Sequence, residues 1–335
     1  MAFAATFVVA FVAAFVVAFV ATPLIAAMAR RINAVDSVTH RSLGGAVPRV
    51  GGIAVLAGVA TALALDFEFL RDVSALFACA IPLMAVGFVD DFRNASPRLA
   101  AIEQHRAWAK VKLAAQIAAA VLAVTVADLL EYTTVTVPLV CAAVFFIVGY
   151  TNAFNFMDGV NGMAGLHAVV AAGTYVFLFA FPLEFPYAVL AVFVAAATAG
   201  FLPWNLFSAR AYMGDIGSTT LGFLLAALAI RVAILAPNPL VAILPLIPFL
   251  ADTSATLLRR AHRRERLFSA HKVHYYQRFT EQTGGRHALA AWTWTALSAL
   301  YAAIGLLRVS LWWCLVPVAL HVLLFVYIDR RTNHS

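Results

Sequence analysis

Long apolar runs alternate with short polar patches along the chain, from residue 3 to residue 328. The runs approach the roughly 20 residues that an α-helix needs to cross a lipid bilayer. The pattern predicts an all-α, polytopic membrane protein with one transmembrane domain over residues 1–335 and no separate soluble domain. About eleven helices are predicted, near residues 3–28, 51–68, 73–89, 112–130, 136–151, 163–183, 187–203, 217–235, 239–258, 287–307 and 311–328.

The composition supports a membrane protein. Hydrophobic residues make up 64% of the chain and charged residues 12%, with a mean hydropathy of +0.91, whereas soluble domains carry about 25% charged residues. The first apolar run follows no positively charged segment and is longer than the core of a signal peptide, so we expect it to remain as the first helix. The three cysteines fall in predicted spans, where we expect small core residues rather than ligands or disulfide partners.

The distribution of Lys and Arg predicts the orientation. Of the 23 basic residues, 20 lie in one set of alternate loops and the C-terminal tail, whereas the opposite loops hold only Arg71 and Arg308. The positive-inside rule places the N-terminus outside and the C-terminus in the cytoplasm. The net charge of +7 therefore reflects topology first, and attraction to anionic membrane lipids or an anionic substrate second. We expect no nucleic-acid binding, because no nucleic-acid-binding module is present.

Two adjacent carboxylates, Asp90 and Asp91, end an apolar run on the predicted cytoplasmic side. The C-terminal end of a helix disfavours negative charge, and neighbouring carboxylates repel each other. A solvated helix end explains a single aspartate more readily than a pair. A bound cation such as Mg²⁺, or a proton to be transferred, would make the pair useful.

Asn152, Asn155, Asp158 and Asn161 recur every three residues. On a helix or a tight helical turn this spacing places them along one side. Such a row of amides and one carboxylate suits recognition of a polar ligand or metal, and hydrogen bonding between helices is the alternative.

Two further stretches contain glycines next to charged residues. Asn205 precedes Met-Gly-Asp215-Ile-Gly-Ser218, in which glycines allow the backbone to approach a ligand and Ser218 is a plausible helix N-cap that would favour phosphate. By itself this segment is a capped turn more often than a site. The stretch Val-Pro-Arg-Val-Gly-Gly over residues 47–52 is weaker, because a turn entering a helix would explain it.

A basic loop covers residues 259–278. Its arginine run is most simply a membrane anchor on the positive side. His271, Lys272, His274 and Arg278 follow more compactly, and cations of this kind can clamp a diphosphate. A zinc site is not expected, because no cysteine or further histidine pair completes a ligand set.

In this order and on one predicted membrane face, the five stretches resemble the polyprenyl-phosphate N-acetylhexosamine-1-phosphate transferases, which start the synthesis of peptidoglycan lipid, enterobacterial common antigen, teichoic acid and O-antigen. The resemblance covers about residues 30–286. The matching positions are the paired Asp90 and Asp91, then Lys112 and Gln116, then Asn152, Asn155 and Asp158 of an Asn-x-x-Asn-x-x-Asp-Gly motif, then Asn205, Asp215 and His274.

The chain also departs from the family pattern. It has Asn161 where the family often has Asp, and Asn94 where one branch has a third Asp. It lacks the consecutive histidines of the peptidoglycan enzyme. Its segment His271-Lys-Val-His274-Tyr-Tyr-Gln277 is similar to the corresponding loop of O-antigen-initiating members.

The resemblance implies an enzyme that moves a sugar 1-phosphate from a UDP-N-acetyl-amino sugar (GlcNAc or a 6-deoxy or amino derivative) to undecaprenyl phosphate and releases UMP. It further implies Mg²⁺, or Mn²⁺ in its place, and the homodimers that some relatives form. It also implies a bacterial inner membrane, with the N-terminus in the periplasm and the active site on the cytoplasmic face. Metal binding is assigned to Asp215 and Asp91. Catalysis is assigned to Asp90, Asp91, Asp158 and His274, and substrate binding to Asn152, Asn155, Asn161, Asn205, Lys112, His271, Lys272 and Arg278.

Three alternatives remain open. The peptidoglycan precursor could be the donor, although the missing histidine run counts against it. An ion-coupled secondary transporter would place its carboxylates deep within the spans, whereas these cluster at predicted helix ends. A catalytically silent scaffold is disfavoured because every principal carboxylate position is kept.

Overall fold

The structure, a computed structural model, describes residues 2–32, 35, 47–65, 70–95, 105–131, 133–180, 185–207, 209–265 and 274–332. Short 3-10 or π segments and turns accompany the α-helices, and no β-strand occurs in these ranges. The α-helices are α1 (Ala2–Arg31), α2 (Gly51–Ala64), α3 (Arg71–Ala78), α4 (Ile81–Ala95), α5 (His105–Thr125), α6 (Val137–Met157), α7 (Met163–Ala180), α8 (Phe185–Leu202), α9 (Gly214–Leu235), α10 (Ile247–His262), α11 (Tyr275–Gln282), α12 (His287–Leu306) and α13 (Leu315–Thr332).

Within the described ranges, nine segments are long and apolar enough to cross a membrane. Two shorter apolar helices, α2 and α7, accompany them. Together these eleven segments occupy the positions of the eleven predicted spans, with α3 and α4 forming one of them. The prediction of an all-α, polytopic membrane protein is therefore confirmed.

Helix α9 is the centre of the bundle. Of its 22 residues, 17 are buried, and it packs against α2, α4, α6 and α7. Its sequence is rich in Gly and Ala, which let neighbouring backbones approach closely where lipid supplies no driving force for helix association. A helix that is apolar on all sides is typical of such a central position.

Glycines mark two close helix crossings near the start of α9. A Cβ atom added to Gly52 of α2 would lie 2.3 Å from the Cα of Gly217, and one added to Gly87 of α4 would lie 2.6 Å from the Cα of Ile216. Both contacts are with backbone, which cannot rotate away. Three helices therefore meet almost backbone to backbone beside Asp91 and Asp215.

Replacing the glycine at one of these crossings should destabilise the protein. We expect Gly87→Ala to lower the free energy of unfolding by about 1–3 kcal/mol, the usual cost of overpacking. The matched control is Gly173→Ala in α7, where an added Cβ would meet nothing within 4 Å and helix propensity improves by up to about 1 kcal/mol. Thermal unfolding in detergent measures both, and equal melting temperatures for the two variants would contradict the close crossing.

The opposite end of α9 carries a buried charge. Arg231 is 1% exposed, and its Nη2 atom lies 3.2 Å from Oε2 of Glu131. Its guanidinium also lies 4.8 Å from the ring centroid of Tyr187. At 1.5 Å per helical residue, Arg231 is about 24 Å from Asp215 along the helix. The polar residues considered below therefore lie at one end of the bundle. The Arg231–Glu131 ion pair lies at the opposite end.

Candidate active site

The first turn of α9 is held by a side chain from another helix. The backbone N–H groups of Asp215 and Ile216 donate to the two carboxylate oxygens of Asp91, at 2.8 and 3.0 Å. Asp91 thus supplies the acceptors that the exposed N–H groups of a helix start require. The helix begins at Gly214, so Ser218 lies inside it and is not the predicted N-cap. An anion from α4, rather than a phosphate, occupies this helix start.

The turn before α2 packs against the same loop. The backbone N–H of Tyr212 donates to the carbonyl oxygen of Pro48 at 2.9 Å. The backbone N–H of Gly52 donates to the carbonyl oxygen of Met213 at 2.7 Å. These backbone bonds bring Arg49 next to Asp91 and Asp215, and its positive charge interacts with both carboxylates. The weakest of the five sequence stretches is therefore part of the same cluster.

Lys112 joins two of the predicted carboxylates. Its Nζ atom lies 2.7 Å from Oδ2 of Asp90 and also contacts Oδ2 of Asp215. The indole Nε1–H of Trp108 donates to the other oxygen of Asp90. Three helices, α4, α5 and α9, thus contribute charged groups to one point. These side chains are only partly accessible: Lys112 is 28% exposed, Asp215 15% and Asp90 9%.

The donor set at this point fits a magnesium ion. Oδ2 atoms of Asp90 and Asp215 converge on a single cation, the Lys112 ammonium, and carboxylate oxygens are the ligands that Mg²⁺ prefers. Among the described residues no group of three His, Cys, Asp or Glu side chains is placed to hold an ion. Two carboxylates are sufficient where waters and substrate phosphates complete the shell. The convergent pair is Asp90 with Asp215, whereas the sequence-based metal assignment paired Asp215 with Asp91.

The amide side chains in the row on α6 bind partners on two neighbouring helices, α5 and α9. Asn152 and Gln116 of α5 form a reciprocal amide pair, with donor to acceptor distances of 2.7 and 3.2 Å. Asn155 donates to Oγ of Ser218 on α9 at 2.7 Å. Helix α6 ends at Met157, with the half-buried Asp158 at its C-cap. Asn161 is 7% exposed and lies in the following turn.

Asn205 connects two of the predicted stretches. Its Oδ1 atom accepts the N–H of Gly162 at 2.6 Å, and its Nδ2 atom donates to the carbonyl of Ala211 at 3.0 Å. Gly162 has a φ of +82°, a conformation that favours glycine. Asn205 therefore ties the turn after α6 to the loop before α9.

His274 is held by a buried aspartate. Asp252 of α10 is 0% exposed, and its Oδ1 atom lies 3.1 Å from Nδ1 of His274. The N–H groups of Tyr275 and Tyr276 donate to the same carboxylate at 3.1 and 2.9 Å, so Asp252 also caps α11. The hydroxyl of Tyr276 donates to the carbonyl of Phe156 at 2.8 Å. The basic loop thus ends beside the last turn of α6, close to Asp158.

Arg278, predicted to bind substrate, forms an ion pair with a carboxylate of the last helix. Its Nη1 atom lies 2.6 Å from Oδ1 of Asp329 in α13, and the hydroxyl of Tyr275 donates to Oδ2 of Asp329 at 3.0 Å. Burial raises the pKa of the Tyr275 hydroxyl above its usual value. In this structure Arg278 anchors α11 to α13. His271 and Lys272 lie outside the described residues.

Sequence reasoning gave no role to Trp108, Asp252 or Asp329. Asp252 had one signal, as an acidic residue in an apolar run, but no spacing connects it to His274, which is 22 residues away. Trp108 lies in a polar segment with no recognisable pattern, and Asp329 lies beyond the motifs. Only the packing of α4 against α5 shows what Trp108 contacts, and only the packing of α10, α11 and α13 shows the contacts of Asp252 and Asp329.

Similarity to known proteins agrees with this arrangement. Residues 73–233 match glycosyl transferase family 4, a range that runs from α3 to α9 and includes Asp90, Lys112 and Asp215. Over this range, just under half of its length, the chain resembles glycosyl transferase family 4. The resemblance noted from the motifs is therefore confirmed, and the family is one of transferases.

Three relatives illustrate the family's range. The decaprenyl-phosphate N-acetylglucosaminephosphotransferase of Mycolicibacterium smegmatis is 28% identical over 83% of this chain and 77% of its own length. The probable undecaprenyl-phosphate N-acetylglucosaminyl 1-phosphate transferase of Bacillus subtilis is 26% identical, over 76% and 72%. The phospho-N-acetylmuramoyl-pentapeptide-transferase of Staphylococcus haemolyticus is 26% identical, over 74% and 81%. The chain is thus similar to enzymes with different names along most of its length.

Proposed function

We propose that this protein transfers a sugar 1-phosphate from a UDP-N-acetyl-amino sugar to undecaprenyl phosphate, forming a polyprenyl-diphospho-sugar and UMP. The observation that carries the proposal is the convergence of Asp90 and Asp215 on one cation at one end of a membrane bundle. A long isoprenoid cannot leave the bilayer, whereas a nucleotide sugar is soluble. We further propose that the site faces the cytoplasm of a bacterial inner membrane and that the product starts an O-antigen-like polysaccharide.

The reaction is an exchange at phosphorus. An oxygen of the lipid phosphate forms a bond to the phosphorus that carries the sugar, the bond from that phosphorus to the oxygen of UMP breaks, and UMP leaves. Both substrates are anionic, so positioning and neutralisation are the main tasks of the protein. Bound Mg²⁺ would supply the positive charge that polarises the phosphoryl group.

The residues of the chain divide these tasks. Asp90 would orient the lipid phosphate or accept its proton, and Asp215 would hold Mg²⁺ with it. Asp91 would act through α9, because its two oxygens bind the N–H groups of Asp215 and Ile216 and so fix where Asp215 points. His274 would contact the diphosphate or sugar, with its ring oriented by Asp252. Asp158 would complete the donor side of the site.

The experiment is a donor panel with purified protein in detergent. Undecaprenyl phosphate or decaprenyl phosphate, Mg²⁺ and one UDP-sugar are incubated together, and UMP release is measured. The donors are UDP-GlcNAc, its 6-deoxy and 4-amino derivatives, and UDP-N-acetylmuramoyl-pentapeptide. We expect release with one of the N-acetyl-amino sugars, its loss on chelation, and its return with Mg²⁺ or Mn²⁺.

The outcomes separate the alternatives. Release from the muramoyl pentapeptide donor alone would replace the proposed donor with the peptidoglycan precursor. No release from any donor, under conditions in which a relative is active, would contradict the enzyme itself. Release that persists after complete chelation would remove the divalent cation from the mechanism.

A further inference from the structure

One side chain stands between the two carboxylates that the proposed function assigns to the metal. Nζ of Lys112 is bonded to Oδ2 of Asp90 and to Oδ2 of Asp215, which belong to different helices. The bonded oxygens are the same ones that a metal would use. The structure therefore has an organic cation at the place proposed for an inorganic one.

The charges at this point do not balance with a lysine alone. Asp90 and Asp215 repel each other in a partly desolvated site. Together with Asp91 they carry three negative charges, against which Lys112 and Arg49 supply two positive ones. A divalent cation neutralises both Asp90 and Asp215 and binds their oxygens at about 2.1 Å, shorter than a hydrogen bond to nitrogen. An ammonium and a divalent cation that both bridged this pair of oxygens would lie close together and repel each other, so the binding of one disfavours the other. A divalent cation can therefore bind these two oxygens only if the Lys112 ammonium moves away from them.

We propose that Lys112 is a resident counter-ion of the Asp90–Asp215 pair, which a divalent cation displaces when it binds. This inference rests on the proposed function, because it takes that cation to be the one used in the transfer. Before exchange, Lys112 holds α4, α5 and α9 together at the site. After the divalent cation has replaced it, the Lys112 ammonium is released next to that cation. There it could neutralise part of the negative charge of the donor diphosphate. The cation would therefore bind before the donor.

The rate at which the Lys112 amine is acylated reports directly whether its ammonium is bound to the two carboxylates. The chain has three lysines, Lys110, Lys112 and Lys272, so a water-soluble succinimidyl ester gives few products and mass spectrometry assigns each. Lys110 is exposed on the same helix and serves as the internal control. Without divalent cation we expect Lys112 to be acylated at least about tenfold more slowly than Lys110, because its nitrogen is engaged by two carboxylates. Mg²⁺ should raise its rate several-fold and leave Lys110 unchanged, whereas NaCl of equal ionic strength should not.

Two results would overturn the exchange. Lys112 could react as fast as Lys110 without cation, or its slow rate could persist at saturating Mg²⁺. If UMP release still required Mg²⁺ in either case, the proposed function would stand and only the displacement would fail. If no donor released UMP, the proposed function itself would fail.

A variant pair gives an independent readout. Lys112→Met and Lys110→Met are compared by thermal unfolding in a Mg²⁺ titration. We expect Lys112→Met to melt at a lower temperature without cation, and its Mg²⁺ midpoint to fall about tenfold because the competitor is gone. A midpoint equal to that of Lys110→Met would contradict competition. Should Lys112→Met not fold, the acylation of the wild-type chain decides.

Discussion

Asp215→Asn and Asp90→Asn should each lower UMP release by about 10² to 10³ fold, the range seen when one preorganised charged or hydrogen-bonding group is lost from an active site. Each substitution removes one of the two carboxylates that converge on Lys112. Asparagine has nearly the same size, so the packing of α4 and α9 should remain. The measurement is UMP release with the donor found in the panel, after each variant has been shown to unfold cooperatively.

The matched control is Asp72→Asn. Asp72 is exposed in the first turn of α3, and its substitution should change release by less than about twofold, because surface substitutions away from a site have small effects. Normal activity in Asp215→Asn or Asp90→Asn would remove that residue from the mechanism. A loss of folding equal to the loss of activity would instead assign it to structure.

Asp252→Asn should lower both stability and activity. The buried carboxylate accepts hydrogen bonds from His274, Tyr275 and Tyr276, and an amide would turn an N–H₂ donor toward one of these donors. An unsatisfied buried group costs about 1–3 kcal/mol. The ring of His274 would also lose its fixed orientation. We expect the rate per folded molecule to fall by about 10-fold or more, as when a group that orients a functional side chain is removed.

Asp329→Asn is the comparison, since Asp329 holds the same short helix from its other side. Its side chain is 43% exposed, and ion pairs of exposed groups contribute roughly 0–1 kcal/mol. We expect a small change in melting temperature and a rate within about twofold of the wild type. Thermal unfolding and UMP release on both variants check this. Equal effects of the two substitutions would contradict a special role for the buried carboxylate.

The helical architecture could be predicted because the membrane simplifies it. A lipid-exposed backbone must satisfy its hydrogen bonds internally, so an apolar run of sufficient length has one structural solution. Helices α2 and α7 are also apolar but are shorter than the nine spanning segments in the described part of the chain. Hydropathy predicts where along the chain they lie, but not how long they are. The packing of α9 at the centre follows from its small residues only once its neighbours are known.

The cluster of carboxylates could also be predicted, because aspartates at helix ends are costly and few. The division of roles within it could not. Asp90 and Asp91 are adjacent in sequence, yet consecutive residues of a helix point about 100° apart. One therefore faces Lys112 and the other faces the start of α9. No feature of the sequence distinguishes these directions before the neighbouring helices are placed.

The contacts of Arg278 illustrate what charge alone does not predict. A basic loop predicts contact with phosphate, because the charge of the residues is all that the sequence provides. The partner of Arg278 is Asp329, 51 residues away, beyond every motif of the family. Only packing of α11 against α13 brings the two together.

The bond between Asp91 and α9 also bears on how the protein is made. Asp91 and Asp215 are separated by 124 residues, and chains are synthesised at about 5–20 residues per second. The ribosome therefore needs about 6–25 s after adding Asp91 before it adds Asp215, whose N–H group binds the Asp91 carboxylate. During this interval α4 must stay in or near the membrane while the carboxylate of Asp91 lacks the two N–H donors that α9 brings. The site is thus completed late in biosynthesis, and a chain released before residue 215 would carry its acidic pair without the helix that organises it.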